Sequence, residues 1–180
     1  MITPAVIVVT GASGSGKTAT VHALEARRLT GVRCYYFDSV GVPSVEEMHR
    51  DFGSPEQWQA ITTQRWLERL STESGDADVH VLEGQTRPSF VVEAAKQARV
   101  DVARIVLLDC EASVRHKRLV ELRGQPELSN SRMDCWAAYL RGQADALKLP
   151  VIDTTHLGLD EAAEVLAGCV EKVRAEHNKR

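Results

Sequence analysis

The stretch Gly11-Ala12-Ser13-Gly14-Ser15-Gly16-Lys17-Thr18 fits the pattern G-x-x-x-x-G-K-[ST], and few eight-residue runs leave a chain so little freedom. Its glycines permit backbone angles that turn successive N–H groups inward, making a concave nest for phosphate oxygens. The helix that opens near Lys17 adds its positive N-terminal end. Lys17 can reach the outer phosphates of a nucleotide, and the Thr18 hydroxyl is placed to meet a magnesium ion. The flanks fit this reading. Ala5–Val9 is an unbroken apolar run ending at Thr10-Gly11, as expected of a strand buried on both faces. The anion-binding set is therefore Gly11, Ser13, Gly14, Ser15, Gly16, Lys17 and Thr18.

Beyond the loop, short β-rich runs alternate with longer helical stretches. A helix follows Lys17 to about Leu29, with Val21, Leu24 and Leu29 on one side, and Val32–Phe37 reads as a second strand. Ser44, with Glu47 three residues on, and Ser54 predict the N-caps of two consecutive helices. The second helix carries Trp58, Ile61, Trp66 and Leu70 at core spacing rather than as a stacking platform. Val79–Leu82 is a third strand, Pro88 opens the next helix, and Ile105–Leu108 is a fourth strand. Helices from about Ala112 to Leu122 and Arg132 to Leu147 flank the polar loop from Arg123 to Ser131. A fifth strand, Pro150–Asp153, precedes a last helix from about Asp160. This alternation predicts one α/β domain over residues 1–180: a five-stranded parallel sheet with helices on both faces, joined by right-handed crossovers.

Composition narrows the partners. A net charge of -3 argues against a protein that grips a nucleic-acid backbone. No apolar run reaches the ~18 residues of a membrane span, and the N-terminus lacks the basic flank of a signal peptide. Cys34, Cys110, Cys135 and Cys169 are scattered, with no CxxC and no metal spacing. They read as reduced, mostly buried thiols of a cytoplasmic protein without a zinc site.

With that loop and length, the chain resembles the nucleoside-monophosphate-kinase-like branch of P-loop proteins, which includes adenylate, shikimate and gluconate kinases. The resemblance implies the three-layer P-loop NTPase fold with a short lid. Glu83-Gly84-Gln85-Thr86-Arg87 looks like the acid-Gly-x-Pro-Arg element of adenylate kinases, with Glu83 for aspartate and Thr86 for proline. In that element the acid supports the magnesium shell and the arginine holds the acceptor phosphate. Ile105 to Asp109 and the helix with Arg118-Leu119 resemble the segment leading to the lid, and Arg123-Gly124 resembles the second lid arginine. Arg118 to Arg123 is one residue longer than the family's spacing. Val151-Ile152-Asp153-Thr154-Thr155 resembles the last strand and the base-contacting loop, which implies Thr155 as a nucleotide contact.

The resulting expectation is transfer of the γ-phosphoryl group of ATP, with Mg²⁺, to a small acceptor. The acceptor region is about 38–75 and the lid about 118–133. Lys17, Asp38 and Arg123 are the catalytic candidates, Thr18 and Glu83 the metal candidates, and Asp38 and Arg87 the acceptor candidates. Arg118 and Thr155 join the loop on the nucleotide. Each has a plainer alternative: a helix-terminal carboxylate for Glu83, an Asx-turn for Asp38, an ion-pair arginine for Arg87. Asp109 reads as a cap. Arg50, Arg65, Arg69, Arg132 and Arg141 read mostly as solvated faces, and His22 and His49 as surface histidines. A nucleotide-hydrolysing switch and a non-catalytic nucleotide-binding module are the alternatives to a kinase. The partners implied are a nucleoside triphosphate and a small acceptor, with no nucleic acid or membrane, in a monomer or homodimer.

Overall fold

The computed structural model describes residues 4–73, 75–100 and 102–179. Five strands, β1 (Ala5–Thr10), β2 (Val32–Tyr36), β3 (Val79–Glu83), β4 (Val102–Asp109) and β5 (Val151–Asp153), form one sheet in the order β2-β3-β1-β4-β5. All four pairings are parallel. Every residue of β1 is buried, and its alternation explains the unbroken apolar run. Ala5, Ile7 and Val9 face one core while Val6 and Val8 face the other.

The first core is closed by α1 (Lys17–Ala26) and α7 (Leu159–His177), through Val21, Leu24, Leu166 and Val170. The second is closed by α2 (Val45–Phe52), α3 (Pro55–Thr72) and α4 (Pro88–Ala98). A third, smaller cluster seats α6 (Ser131–Ala146) against Ala12 and Leu107. The chain runs outward from β1 to β2, back to β3, and then across to β4. The strand order thus reverses beside β1, where open α/β sheets form their ligand crevice.

Local signals act as read. Ser44 and Glu47 form a reciprocal capping box, with Glu47 N donating to Ser44 Oγ at 3.2 Å and Ser44 N to Glu47 Oε2 at 2.8 Å. Ser54 caps α3 by accepting from Gln57 N at 3.1 Å. Four expectations need correction. Ile61 is exposed, because the buried arc of α3 runs from Trp58 to Leu67 and Ile61 falls about 60° outside it at 3.6 residues per turn. The second strand stops at Tyr36, and Phe37–Val40 turn into a 3-10 helix that drives Phe37 edge-on against Trp58. The helix α5 (Ala112–Lys117) passes into a π-turn over Arg118–Leu122. Of the four cysteines only Cys110 is fully buried, Cys34 and Cys169 are half-buried, and Cys135 is exposed.

His80 occupies a buried position on β3, edge-on to Tyr35 at 5.1 Å. Burial holds its imidazole below the ordinary value of 6.5, opposed in part by Glu73. Protonation therefore favours the unfolded chain. This contribution is whole above pH 6.5 and is lost as the pH falls through the lower folded-state value. Urea midpoints measured between pH 7.5 and 5.5 should fall with pH, and the same series in His80→Gln should be flatter; parallel curves would remove His80 as the cause.

Candidate active site

The turn after β1 depends on close backbone approach. A Cβ on Gly11 would lie 2.3 Å from the Leu108 carbonyl oxygen and 2.6 Å from Ser15 Oγ. Gly14 and Gly16 adopt φ of 82° and 89°, the left-handed region that favours glycine. The loop then delivers Lys17 as the first residue of α1, so the unpaired amides of that helix open onto the cradle. Ser15 Oγ is buried with no hydrogen-bond partner among the described residues, a donor left for an anion.

Lys17 is only 8% exposed, and Glu83, at the end of β3, only 6%. Parallel pairing sets Val9 beside Glu83, so the carboxylate stands at the mouth of the loop. Lys17 Nζ lies 3.8 Å from Glu83 Oε1, and the Thr18 hydroxyl donates to the same oxygen at 3.0 Å. Burial pushes the Lys17 ammonium below its ordinary value; Glu83 and then Asp38 pull it back up, and Arg123 pushes it down. Three further charges are thus felt at Lys17. A carboxylate and a hydroxyl side by side are hard oxygen donors of the kind magnesium takes. Among the described residues no group of three or more His, Cys, Asp or Glu side chains is placed to hold a metal ion.

The cleft has a volume of 550 Å³ and is walled by Lys17, Thr18, Arg118, Arg123, Thr154 and Leu157 among others. Arg118 Nη1 donates to Thr154 Oγ1 at 2.8 Å and Nη2 to the Thr154 carbonyl at 2.7 Å. Thr154 in turn donates to the Ser15 carbonyl at 2.8 Å, tying the end of β5 to the loop. Thr155 points elsewhere: its hydroxyl accepts from Glu111 N at 3.0 Å. The period-two signal was present in the sequence, because Ile152 and Thr154 share a buried face that Asp153 does not. His22, read as a surface histidine, also lines this cleft, stacked on Tyr36 at 4.6 Å.

The π-turn explains the long arginine spacing. Arg123 N donates to the Arg118 carbonyl at 3.0 Å, an i to i+5 bond that absorbs one extra residue. Both arginines consequently line the same cleft.

A second polar cluster lies at the β3–α4 junction. Arg87 Nη1 donates to Gln59 Oε1 at 2.7 Å, and its guanidinium stacks 4.9 Å from Trp136 and 5.0 Å from Phe90. Gln59 Nε2 donates to the Gln85 carbonyl at 2.8 Å, and Ser13 Oγ to Gln85 Oε1 at 3.0 Å. The Ser13 hydroxyl is thereby turned away from the phosphate cradle. Asp38 is exposed in the 3-10 turn and lines neither this cluster nor the cleft, though its charge is felt by Lys17. Asp109 caps its own turn by accepting from Cys110 N at 2.9 Å. Gln59 and Trp136 escaped sequence reasoning because no motif marks them, whereas Gln85 and Thr154 lie within quoted segments but were given no role of their own.

A parallel sheet in this order, with an anion cradle between β1 and α1 and an acid at the end of β3, defines a P-loop nucleotide-binding protein. The chain belongs to the AAA domain family, which it matches over residues 7–137. Its fold is that of a gluconokinase from Sinorhizobium meliloti 1021 (TM-score 0.67, 20% identity, covering 99% of each chain). It is also that of the tunicamycin resistance protein of Deinococcus radiodurans (0.65, 20%, 93% of this chain and 95% of that one). The APS kinase of Mycobacterium tuberculosis in complex with AMPPNP and APS is similar too (0.57, 16%, 95% and 99%). No curated protein matches the sequence.

Arg115 underlies this site. It is 4% exposed and reaches the Cys110 carbonyl at 3.2 Å and Asp134 Oδ1 at 2.6 Å, so it braces α6 beneath Gly14. Arg115→Met should cost about 2 kcal/mol in denaturant unfolding. Asp134→Asn should cost about 1 kcal/mol or less, since that carboxylate is largely solvated. Equal losses would mean that the ion pair, not the buried guanidinium, is the brace.

Proposed function

We propose that the chain is an ATP-dependent phosphotransferase that moves the γ-phosphoryl group, with Mg²⁺, to a small acceptor carrying an anionic group. One observation carries this reading: Lys17 and Thr18, both bound to the buried Glu83 carboxylate, line one cleft that Arg118 and Arg123 also line. A switch or a passive binding module has no use for the second half of that arrangement. The gluconokinase and the APS kinase seen with AMPPNP and APS lend support at the level of reaction class.

Phosphoryl transfer needs alignment and neutralisation of spreading negative charge more than covalent help. Glu83 and the Thr18 hydroxyl would hold magnesium, which supplies charge neutralisation and orientation at the phosphates. The loop amides, Ser15 and Lys17 hold the donor. Arg118 braces the nucleotide side through Thr154, and Arg123 closes over the transferring group. The acceptor lies in the region of residues 38–75 with Arg87 as its anionic anchor, and the lid spans about 118–133. With a hydroxyl acceptor, the proton passes from the attacking oxygen to the Asp38 carboxylate. The new P–O bond forms as the bond to the β-phosphate breaks, and ADP leaves.

The test is ADP release measured against sugars, sugar acids, nucleotides and hydroxylated organic acids. Release that rises with one such molecule supports the kinase. Stimulation by a protein partner alone, or nucleotide binding without turnover, overturns it. Lys17→Ala should lose at least about a hundredfold in turnover, about 3 kcal/mol, with its circular dichroism unchanged. Turnover within twofold of the parent would sink the assignment of the loop.

Arg123→Ala separates lid from connector. A group that acts on charge developing in the transition state changes rate rather than ground-state affinity. The variant should lose about a hundredfold in kcat while its ATP Kd stays within about threefold. A large loss of affinity with kcat preserved would make Arg123 a simple nucleotide ligand.

A further inference from the structure

The phosphate cleft continues past the loop as a groove between two helices. On α1 its wall is Ala19 and His22, three residues apart on one face, and on α7 it is Leu159 and Ala162 at the same spacing. Small side chains at Ala19 and Ala162 leave this end open, and no carboxylate or amide side chain lines the cleft among the described residues. Lys17, Arg118 and Arg123 can only donate. Thr154 Oγ1 already accepts from Arg118, and Thr18 Oγ1 donates to Glu83. His22 is the lining side chain that brings a lone pair on nitrogen.

Its neighbours fix which nitrogen that is. His22 Nδ1 lies 2.8 Å from the Tyr36 hydroxyl, which donates to Glu25 Oε2 at 2.8 Å. Burial, and then the Glu25 hydrogen bond, push the Tyr36 phenol above its ordinary value, so the hydroxyl keeps its single proton. That proton is spent on Glu25, and Nδ1 must supply the hydrogen of the His22–Tyr36 contact. In the neutral imidazole Nε2 is then a bare acceptor. Tyr36 covers one face of the ring, with centroids 4.6 Å apart, yet the side chain is 61% exposed, so the Nε2 edge is left for a ligand.

We infer that His22 reads the ribose of the bound nucleotide: Nε2 accepts from a ribose hydroxyl and selects ribonucleotides as the donor. The inference rests on the cleft being the nucleotide site of the proposed function. Phosphates are acceptors and suit the donors at the loop; the ribose hydroxyls are donors, and the α1 wall offers them an acceptor. The spacing agrees. His22 stands five residues beyond Lys17, about 7.5 Å along α1. It therefore flanks the group that follows the phosphates rather than the phosphates themselves. A site that hydrogen-bonds a hydroxyl rejects the analogue lacking it. Because the imidazole is largely solvated, the factor is a modest one.

Calorimetric titration of the folded protein with ATP, 2′,3′-dideoxy-ATP and ITP tests this without any acceptor or turnover. The parent should bind ATP about fivefold more tightly than the dideoxy analogue. His22→Leu, at an exposed position, should keep the melting temperature and weaken ATP and ITP by about fivefold each. The same variant should hold dideoxy-ATP within about twofold of the parent. Equal parent affinity for ATP and dideoxy-ATP, or equal losses of both in His22→Leu, would overturn the inference. So would unchanged ITP affinity in that variant, because the contact would then be to the adenine amine. A protein that binds none of the three nucleotides overturns it as well. The expected binding pattern without ADP release for any acceptor would fail the phosphotransferase alone and leave the role of His22 standing.

Discussion

Lys17 is an ammonium group held almost out of water against one carboxylate, and that juxtaposition sets what the rest of the fold must do. Burying two charges costs several kcal/mol each unless geometry and hydrogen bonds compensate. The geometry comes from the sheet. Only a parallel β1–β3 pairing with Val9 beside Glu83 brings the carboxylate level with the first turn of α1. Gly84 N then donates to the Val9 carbonyl at 3.0 Å, so the register persists past the strand end. Around it runs a chain of buried threonines: Thr10 donates to the Thr86 carbonyl at 2.6 Å, and Thr86 shares a hydrogen bond with Thr63 at 2.8 Å. The Thr86 hydroxyl thus adds a link from α3 to the site beside those that Gln59 makes.

The turn after α5 shows how two arginines five residues apart come to line one cleft. In a regular α-helix, residues five apart differ by about 140° around the axis. The π-turn from Arg118 to Leu122 narrows that angle, and both arginines line the cleft. A π-turn forfeits ideal hydrogen bonding, and here it ends at Gly124 with φ of 60°, where Gln125 N donates back to the Leu119 carbonyl at 2.8 Å.

Much of the fold was legible because it is written in local chemistry: the apolar run of β1, the glycines at Gly14 and Gly16, and the caps Ser44 and Ser54 each fix backbone conformation within a few residues. The cradle and Glu83 were legible for the same reason, since motif and strand end are contiguous. What escaped was tertiary. Thr154 and Thr155 have the same composition and neighbouring positions, and only the pleat of β5 decides which faces the cleft. Ile61 is the exception, because at 3.6 residues per turn it already falls outside the arc from Trp58 to Leu67. Gln59 lies 28 residues from Arg87, and no spacing rule links them. The π-turn is likewise invisible to a period of 3.6, which both expected helices satisfied.

The arginines differ in how they are held, and the difference bears on what each can do in the proposed reaction. Arg87 is clamped: Gln59 accepts from it, Glu56 stands 3.8 Å away, and two aromatic faces lie about 5 Å from its guanidinium. Such a group pays its ordering entropy during folding, so it meets an anion at little further cost and recognises it in the ground state. Arg118 is clamped too, but by Thr154, and its service is to join lid root, β5 and phosphate loop. Arg123 is exposed one π-turn further out, beside Gly124. A cation that reaches the phosphates only when the lid closes contributes little to initial binding and most to the closed, water-poor state in which charge is redistributed. In the proposed reaction, then, the clamped Arg87 would meet the acceptor on arrival, and Arg123 would act where the bond changes.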